Sequence, residues 1–228
     1  PELALWLAAW KETGKSNGDR LSQLTDFSGN GHHFTQATSA NQPRFDTNVL
    51  NSQPGFFFDG AAYFVEIAKF LGSTTAELYM VLKTFDTGSS NWGAYKFDGA
   101  TLASHITFFG TLHTAFGGTN RVNYIPSPSS ILTSGFVHQV VVNSGITVYE
   151  NGNNAKVSGA QPVDWGSGTS PRHLIGASSS NANGSGTSNF YKGHILEVLI
   201  YTGARSTAQR NALLADFNSR YGISVTNF

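Results

Sequence analysis

Short runs of strand-forming residues, separated by turn signals, recur along most of this 228-residue chain and constrain its fold more than any other feature. Turn signals such as Asn151-Gly152 stand between the runs. A succession of short strands and frequent turns is typical of an antiparallel sandwich or barrel. The predicted strands cover residues 3–10, 56–59, 63–67, 78–85, 92–98, 104–112, 121–126, 136–144, 146–152, 172–178 and 190–202.

Composition agrees with an all-β fold and limits the choice of partner. Ser, Thr, Asn and Gly fill 89 of the 228 positions. Thr and the aromatic residues favour strands, whereas Gly, Asn and Ser favour turns. Only 12% of residues are charged and the formal net charge is zero. Nucleic acids and anionic membrane surfaces attract a basic surplus, so we expect neither as a partner.

The chain has no cysteine, which excludes a disulfide framework, a thiolate metal site and a cysteine nucleophile. Its longest apolar run, from Leu3 to Trp10, is far shorter than the ~20 residues that span a bilayer. No repeat or linker is evident, so a single domain over residues 1–228 is expected.

One helix is signalled near the end of the chain. Ser206 is a suitable N-cap, and Gln209 completes a capping box. Leu213, Phe217 and Tyr221 recur every four residues and form one apolar stripe, beside Leu214. Gly222 follows where a C-terminal cap belongs. The pattern predicts a helix that docks on the sandwich through this stripe.

Three motif groups follow one another in a fixed order. The first pairs Trp6 with the stretch Asp26-Phe27-Ser28-Gly29-Asn30-Gly31. The second is Phe56-Phe57-Phe58-Asp59-Gly60. The third runs from Gly193-His194-Ile195-Leu196-Glu197 through the predicted helix to Tyr221-Gly222-Ile223.

This ordered set resembles the laminin-G-like branch of the concanavalin A-like lectin/glucanase superfamily. The resemblance spans nearly the whole chain. It implies an all-β fold, a two-sheet antiparallel jelly-roll sandwich with one C-terminal α-helix. It also implies that carbohydrate is often bound on the concave face or at the rim loops.

The acidic side chains of the first two motifs are predicted to be structural. Asp26 and Asn30 can bond nearby backbone amides in a rigid loop, and Asp59 can cap the turn after its strand. A cation or sugar contact through Asp26 and Asn30, and a calcium role for Asp59, are the alternatives. No cofactor is therefore predicted, with calcium left as an option. The histidines show no H-x-H or H-E-x-x-H spacing, so no zinc site is expected.

Glu197 lies inside an apolar strand, where it needs a bonding partner. Glycoside hydrolysis normally uses two carboxylates that flank the scissile bond. Glucanases of the resembled superfamily carry them on one strand in a Glu-x-Asp-x-Glu cluster, but Ile195 and Leu199 stand at the corresponding positions here. We therefore predict a structural Glu197, bonded to backbone or to the docked helix, and no enzyme activity.

Large aromatics among Gly and Ser residues are the candidate binding residues, because a sugar ring stacks on an exposed aromatic face. The alternative is that Trp92 and Trp165 plug the ends of the sandwich. Trp6 and Trp10 lie in an apolar strand and are predicted to be core. The predicted ligand-binding residues are Asn91, Trp92, Tyr95, Arg121, Asn123 and Trp165.

The leading functional prediction is a non-catalytic module that binds carbohydrate or another cell-surface ligand, located extracellularly or on a virion surface. One alternative is a virion structural protein, such as a capsid decoration or tail subunit, that assembles as a homo-oligomer or larger complex. The others are a glycan-degrading enzyme and a calcium-dependent adhesion module.

Overall fold

Two antiparallel sheets form a β-sandwich in this computed structural model. The structure describes residues 1–72, 75–85, 92–97, 105–108, 112–115, 121–124, 131–143, 146–159, 171–178 and 186–228. Both the sandwich and its C-terminal helix agree with the fold predicted from the sequence.

The described residues contain sixteen strands and two α-helices. The strands are β1 (Glu2–Ala8), β2 (Gln23–Leu24), β3 (Phe34–Thr35), β4 (Arg44–Leu50), β5 (Gln53–Asp59), β6 (Val65–Ala68), β7 (Thr75–Thr84), β8 (Trp92–Lys96), β9 (His105–Phe108), β10 (Leu112–Ala115), β11 (Arg121–Tyr124), β12 (Phe136–Asn143), β13 (Ile146–Glu150), β14 (Ala155–Gly159), β15 (Arg172–Ile175) and β16 (Lys192–Thr202). The helices are α1 (Ile131–Ser134) and α2 (Thr207–Tyr221).

The first sheet has the order β14-β13-β12-β7-β16-β5-β4, and β1 also pairs with β16. β5 and β1 share one edge of β16, because β5 pairs with the first residues of β16 and β1 pairs with its last residues. The second sheet has the order β11-β10-β9-β8-β15-β6-β3-β2. The main hydrophobic core lies between the two sheets.

Alternation along β7 shows how its sequence divides between the two faces of the first sheet. Ala76, Leu78, Met80 and Leu82 are buried in the main core. The intervening residues face the other way, and we call that side of the first sheet its outer face. Tyr79 and Val81 join a second hydrophobic cluster there, so both faces of β7 are apolar over this stretch.

Helix α2 covers part of the outer face, as its apolar stripe predicts. Leu214, Phe217 and Tyr221 are buried in the second cluster, and Leu213 is half-buried beside them. The predicted capping box is present: the Ser206 side chain accepts from the Gln209 N–H, and the Gln209 side chain accepts from the Ser206 N–H. Gly222 ends the helix in the left-handed conformation, with φ of 67°.

Several strand predictions are corrected by the structure. The predicted strand 104–112 contains β9 and only the first residue of β10, and these two strands pair with each other. β2, β3, β4 and β14 are missed. β2 and β3 have only two residues each, and β4 is rich in polar residues and contains Asn48 at a positive φ of 57°. The predicted strands 136–144 and 146–152 correspond to β12 and β13, which pair antiparallel.

Candidate functional site

The outer face of the first sheet is only partly covered by α2. Along β7 its outward residues are Glu77, Tyr79, Val81 and Lys83, and Phe85 follows directly after the strand. Glu77 bonds Arg210 of α2, and Tyr79 packs on Phe217 of the same helix. Lys83 and Phe85 have no such contact with the helix. The outer face is therefore open at this end.

A cavity of about 310 Å³ occupies the open end, and we call it the outer cleft. Its lining comes from β4, β7, β16 and the loop before β2. The lining residues are Asn17, Gly18, Arg44, Asp46, Thr47, Asn48, Val49, Lys83 and His194.

A glycine in the middle of β5 makes room for a buried polar pair on the floor of the cleft. Gly55 pairs with Asp46 of β4. A Cβ placed at Gly55 would lie 3.3 Å from the Cβ of His194 and 3.4 Å from the side chain of Val49. Without that Cβ, the His194 ring reaches across β5, and its Nε2 lies 3.0 Å from Asp46 Oδ2.

His194 is neutral in this setting. Burial lowers the pKa of His194 below its ordinary value, although the hydrogen bond to Asp46 acts in the opposite direction. A carboxylate can only accept a hydrogen bond, so the neutral ring carries its proton on Nε2 and donates it to Asp46. At neutral pH the charged groups lining the cleft are then Arg44, Lys83 and Asp46.

The two cations are held by different contacts. The guanidinium carbon of Arg44 lies 4.3 Å from the centroid of the Phe57 ring, and one terminal nitrogen of Arg44 lies 3.9 Å from Asp46. The Lys83 Nζ donates a hydrogen bond of 2.9 Å to the backbone oxygen of Val49. Both cations are thus positioned by groups that leave N–H donors for a ligand.

Aromatic rings form a wall beside the polar floor. Phe85 is 45% exposed, and no other large hydrophobic side chain whose burial the structure describes reaches that exposure. Its ring centroid lies 4.8 Å from that of His194 and 5.6 Å from that of Phe57. An exposed aromatic ring next to donors and acceptors suits a ligand with one apolar face and a polar edge.

Glu197 belongs to a different part of the outer face. Its carboxylate accepts from Trp6 Nε1 at 2.7 Å, from Tyr221 Oη at 2.6 Å and from Trp10 Nε1 at 3.4 Å. Burial raises the pKa of Glu197, although these bonds and the nearby Arg220 act in the opposite direction. The predicted structural role, with a bond to the docked helix, is confirmed.

Trp6 and Trp10 are corrected from core residues to half-buried residues. Both pack in the outer-face cluster rather than between the sheets. The Nζ of Lys11 lies 4.4 Å from the Trp6 ring centroid, and Arg220 lies 3.8 Å from the Trp10 ring centroid. The two indoles therefore connect the start of the chain to Glu197 and α2.

The predicted structural roles of Asp26 and Asp59 are confirmed. Asp26 accepts hydrogen bonds from the N–H groups of Trp6, Ser28 and His32. Burial raises the pKa of Asp26, but these hydrogen bonds outweigh it and the pKa is lowered. The Asp59 Oδ1 accepts from three successive backbone N–H groups, at residues 61 to 63.

Neither a metal-binding cluster nor a membrane-spanning helix is found in the described part of the chain. It contains no group of three or more His, Asp and Glu side chains arranged to hold a metal ion. Within the same residues, no helix has the length and apolar character needed to cross a membrane.

A second cavity, of about 380 Å³, lies at the other end of β16 beside Thr202. The ring of His32 stacks on Phe70 at its edge, with 3.9 Å between centroids. The Asn30 amide lines this cavity and donates to the backbone oxygen of Leu3 at 2.8 Å. Asn30 thus has a structural role, but it ties its loop to β1 through a backbone oxygen 27 residues away rather than to the nearby amides that were predicted.

The predicted ligand-binding residues are only partly within the described structure. Tyr95 is fully buried in the main core and stacks on Phe97, with 4.9 Å between ring centroids. This corrects its predicted place at an exposed rim, because a buried ring offers no face to a ligand. The backbones of Trp92, Arg121 and Asn123 lie in strands β8 and β11. Asn91 and Trp165 lie outside the described residues.

The outer cleft was not found from the sequence. Arg44, Asp46 and Lys83 lie on strands whose cleft-forming neighbours are distant in sequence, and β4 was not predicted at all. The nearest signal in the sequence is the connection from β7 to β8, where Asn91 and Trp92, but not Phe85, are predicted to bind ligand. An isolated Phe after a strand carries no mark that distinguishes it from a core residue.

Comparison with solved structures identifies similar β-sandwiches. Domain 4 of AbnA, an extracellular GH43 arabinanase from Geobacillus stearothermophilus in complex with arabinotriose, matches with a TM-score of 0.61 and 16% identity. The match covers 93% of this chain and 98% of that domain.

Two longer structures match over similar stretches of this chain. The ligand-binding domain of botulinum neurotoxin serotype D, in complex with N-acetylneuraminic acid, has a TM-score of 0.59 and 11% identity over 94% of this chain. An arabinofuranosidase complexed with arabinofuranosyl-α-1,2-xylobiose has a TM-score of 0.57 and 16% identity over 89% of this chain. In both, the match covers 51% of the other chain, so this chain spans about half their length.

No protein-family model and no curated protein sequence matches this chain. At these low identities the structural similarities show the fold alone, which is a β-sandwich of two antiparallel sheets.

Proposed function

We propose that residues 1–228 form one non-catalytic carbohydrate-binding domain of the laminin-G-like kind, with a saccharide bound at the outer cleft. The observation that carries this proposal is the exposed Phe85 ring beside the polar floor formed by Asp46, Lys83 and His194. A pyranose or furanose ring has one face that is more apolar than the other, and hydroxyl groups around its edge. Stacking on Phe85 and hydrogen bonding to the cleft would satisfy both parts.

Hydroxyl groups both donate and accept, and the cleft offers both functions. Arg44 and Lys83 donate, whereas Asp46 accepts. The floor is built on four hydrogen-bonded strands of one sheet, so these groups are held by a rigid element rather than by a free loop.

The structural comparisons support this proposal through what those proteins bind. The arabinanase domain was solved with arabinotriose, and the neurotoxin domain with N-acetylneuraminic acid. We also propose an extracellular or surface location, supported by the extracellular arabinanase. A non-catalytic role is supported by Glu197, whose carboxylate is enclosed by Trp6, Trp10 and Tyr221.

A glycan array followed by titration calorimetry tests the proposal. We expect Phe85→Ala to weaken binding of the best array ligand about tenfold or more, which corresponds to ~1.4 kcal/mol. Because Phe85 is exposed, its stability cost should be well below the ~3–5 kcal/mol of a buried Phe→Ala change. Phe228→Ala is the matched control, since that ring is half-buried against Tyr149 and lies outside the cleft.

The same titration distinguishes the outer cleft from the rim loops predicted from the sequence. Trp92→Ala and Trp165→Ala are measured alongside Phe85→Ala. If only the tryptophan variants weaken binding, the site is at the rim and its assignment to the cleft is wrong. If no glycan on the array binds the wild-type domain, the carbohydrate function itself is wrong.

A further inference from the structure

We infer that the outer cleft selects a saccharide that carries an anionic group, a carboxylate or a sulfate, and that Arg44 is the residue that recognises it. This inference rests on the proposed carbohydrate function and specifies the class of sugar. It is carried by the excess of hydrogen-bond donors and positive charge over acceptors and negative charge in the cleft.

Among the described residues, Asp46 is the one carboxylate that lines the cleft, and it is already hydrogen-bonded. Asp46 accepts a hydrogen bond from His194 at 3.0 Å, whereas the nearest Arg44 nitrogen is 3.9 Å away and makes no hydrogen bond to it. Asp46 therefore offsets one positive charge by proximity but does not occupy the donors of Arg44. Two cations and one anion leave the cleft with a net positive charge.

Arg44 is fixed in place while its hydrogen-bonding capacity remains available. The guanidinium stacks on Phe57 and makes no hydrogen bond to any of the described residues. Its Nε is buried, so the donors that can reach a ligand are those on the two terminal nitrogens. A stacked guanidinium loses little further freedom when it binds, and its planar fork matches a carboxylate or sulfate. Folding has thus already restricted this side chain before a ligand arrives.

Lys83 adds a second donor from the opposite side of the cleft. Its Nζ spends one of three N–H donors on the Val49 backbone oxygen, so two remain. His194 adds no charge, since its ring is buried and neutral. A neutral sugar would leave the donor excess unmatched, whereas an anionic group accepts from both cations.

The test compares each anionic sugar with a neutral counterpart of nearly the same structure. We would titrate the full chain with trigalacturonate and its methyl ester, with sialyllactose and its methyl ester, and with 6-sulfolactose and lactose. The expected result is that an anionic member binds at least tenfold more tightly than its neutral counterpart. The uronate, sialylated and sulfated arms show whether carboxylate or sulfate is preferred.

Variants assign the preference to the cleft. Arg44→Gln should remove the tenfold preference, because the anionic sugar loses a charged partner whereas the neutral sugar loses at most a neutral hydrogen bond. Arg44→Lys should restore part of the preference. Arg205→Gln is the matched control, because it removes one positive charge above Tyr201, outside the cleft. If Arg44→Gln lowers the melting temperature sharply, two other measurements replace it. Lys83→Gln should reduce the preference for the anionic sugar, and so should 500 mM salt, which screens the charges.

The outcomes separate this inference from the proposed function. Equal binding of charged and neutral sugars, or a preference that survives Arg44→Gln, overturns the anionic-sugar inference and leaves carbohydrate binding intact. If only neutral array glycans bind, the anionic-sugar inference is likewise overturned and carbohydrate binding is retained. Failure of every glycan, charged or neutral, to bind overturns the proposed function and this inference together.

Discussion

At the scale of single residues, Glu197 shows how a charged side chain can lie within an apolar strand. Ile195 faces the main core, so strict alternation would point Glu197 into the core as well. A β-bulge between Ile195 and Glu197 shifts the register against β7 and places both Leu196 and Glu197 on the outer face. There the carboxylate meets the donors of Trp6 and Tyr221.

Removing this carboxylate should destabilise the domain. Glu197→Ala leaves the Trp6 indole N–H and the Tyr221 hydroxyl without their acceptor, at a cost of about 1–3 kcal/mol for each buried donor. Glu197→Gln keeps one acceptor oxygen and should lose less. Urea denaturation measures both variants, with the exposed Glu2→Ala as control. An unfolding free energy equal to that of the wild type for Glu197→Ala would contradict this role.

His173 gives the domain an acid-sensitive contact. Its Nε2 accepts from the backbone N–H groups of Phe70 and Leu71, both at 3.1 Å, which requires the neutral ring. Burial lowers the pKa of His173 to about 3, from 6.5. Between these values the unfolded chain binds a proton that the folded chain does not. This contribution to stability is therefore complete above pH 6.5 and is lost as the pH falls.

The expected slope is ~1.4 kcal/mol of unfolding free energy per pH unit below pH 6.5 for this histidine. Denaturant melts from pH 7 to pH 4.5 measure it in the wild type and in His173→Gln, which keeps an acceptor but does not titrate. The variant should show a shallower loss, because the other titrating groups act equally in both proteins. Parallel pH profiles would show that His173 makes no such contribution.

At the scale of elements, α2 is a clasp with both apolar and polar contacts. Its apolar side covers the outer-face cluster, and Arg210 pairs with the buried Glu77 at 2.6 Å. The Tyr221 hydroxyl reaches Glu197. Removing α2 therefore exposes the apolar cluster and also takes donors away from two buried carboxylates, Glu77 and Glu197.

Truncation after Gly203 should therefore cause aggregation or a much lower melting temperature. The three buried side chains of α2 are each worth ~1.5–3 kcal/mol, and whole-domain stability is only ~5–15 kcal/mol. Ser206→Ala, which removes only the capping box, should cost ~1 kcal/mol. Differential scanning calorimetry compares the two changes. An unchanged melting temperature for the truncated chain would show that α2 is dispensable.

At the scale of the whole molecule, the proposed non-catalytic role makes a prediction about glycoside hydrolysis. The ordinary mechanism needs one carboxyl group on each side of the scissile bond, with ~5–9.5 Å between the two groups. In the described residues the outer cleft holds Asp46 alone, and Glu197 is enclosed by aromatic side chains. A site with one accessible carboxylate can bind a sugar without supplying both catalytic groups.

We accordingly expect no release of reducing ends from any glycan that the array identifies as a ligand. A reducing-sugar assay measures this, with Asp46→Asn and Glu197→Gln as the informative variants. Activity in the wild type that either variant abolishes would contradict the non-catalytic assignment and would identify the carboxylate responsible.

The sequence by itself determined the elements whose signals are local. Alternation and turns predicted most strands, the capping box and the apolar stripe predicted α2, and the loop chemistry of Asp26 and Asp59 predicted their hydrogen bonds. Each depends on residues within a few positions of one another, where chain geometry fixes which groups can meet. The ordered motifs extended these local signals to a two-sheet sandwich.

Only the tertiary structure decided where the surfaces lie. It buried Tyr95, moved Trp6 and Trp10 to the outer face, and opened the cleft at the end of the sheet that α2 leaves uncovered. Asp46 and His194 are 148 residues apart in the chain and meet because β4, β5 and β16 are neighbours and Gly55 carries no side chain. Strand order and register create such contacts, and neither is encoded by any short segment of sequence.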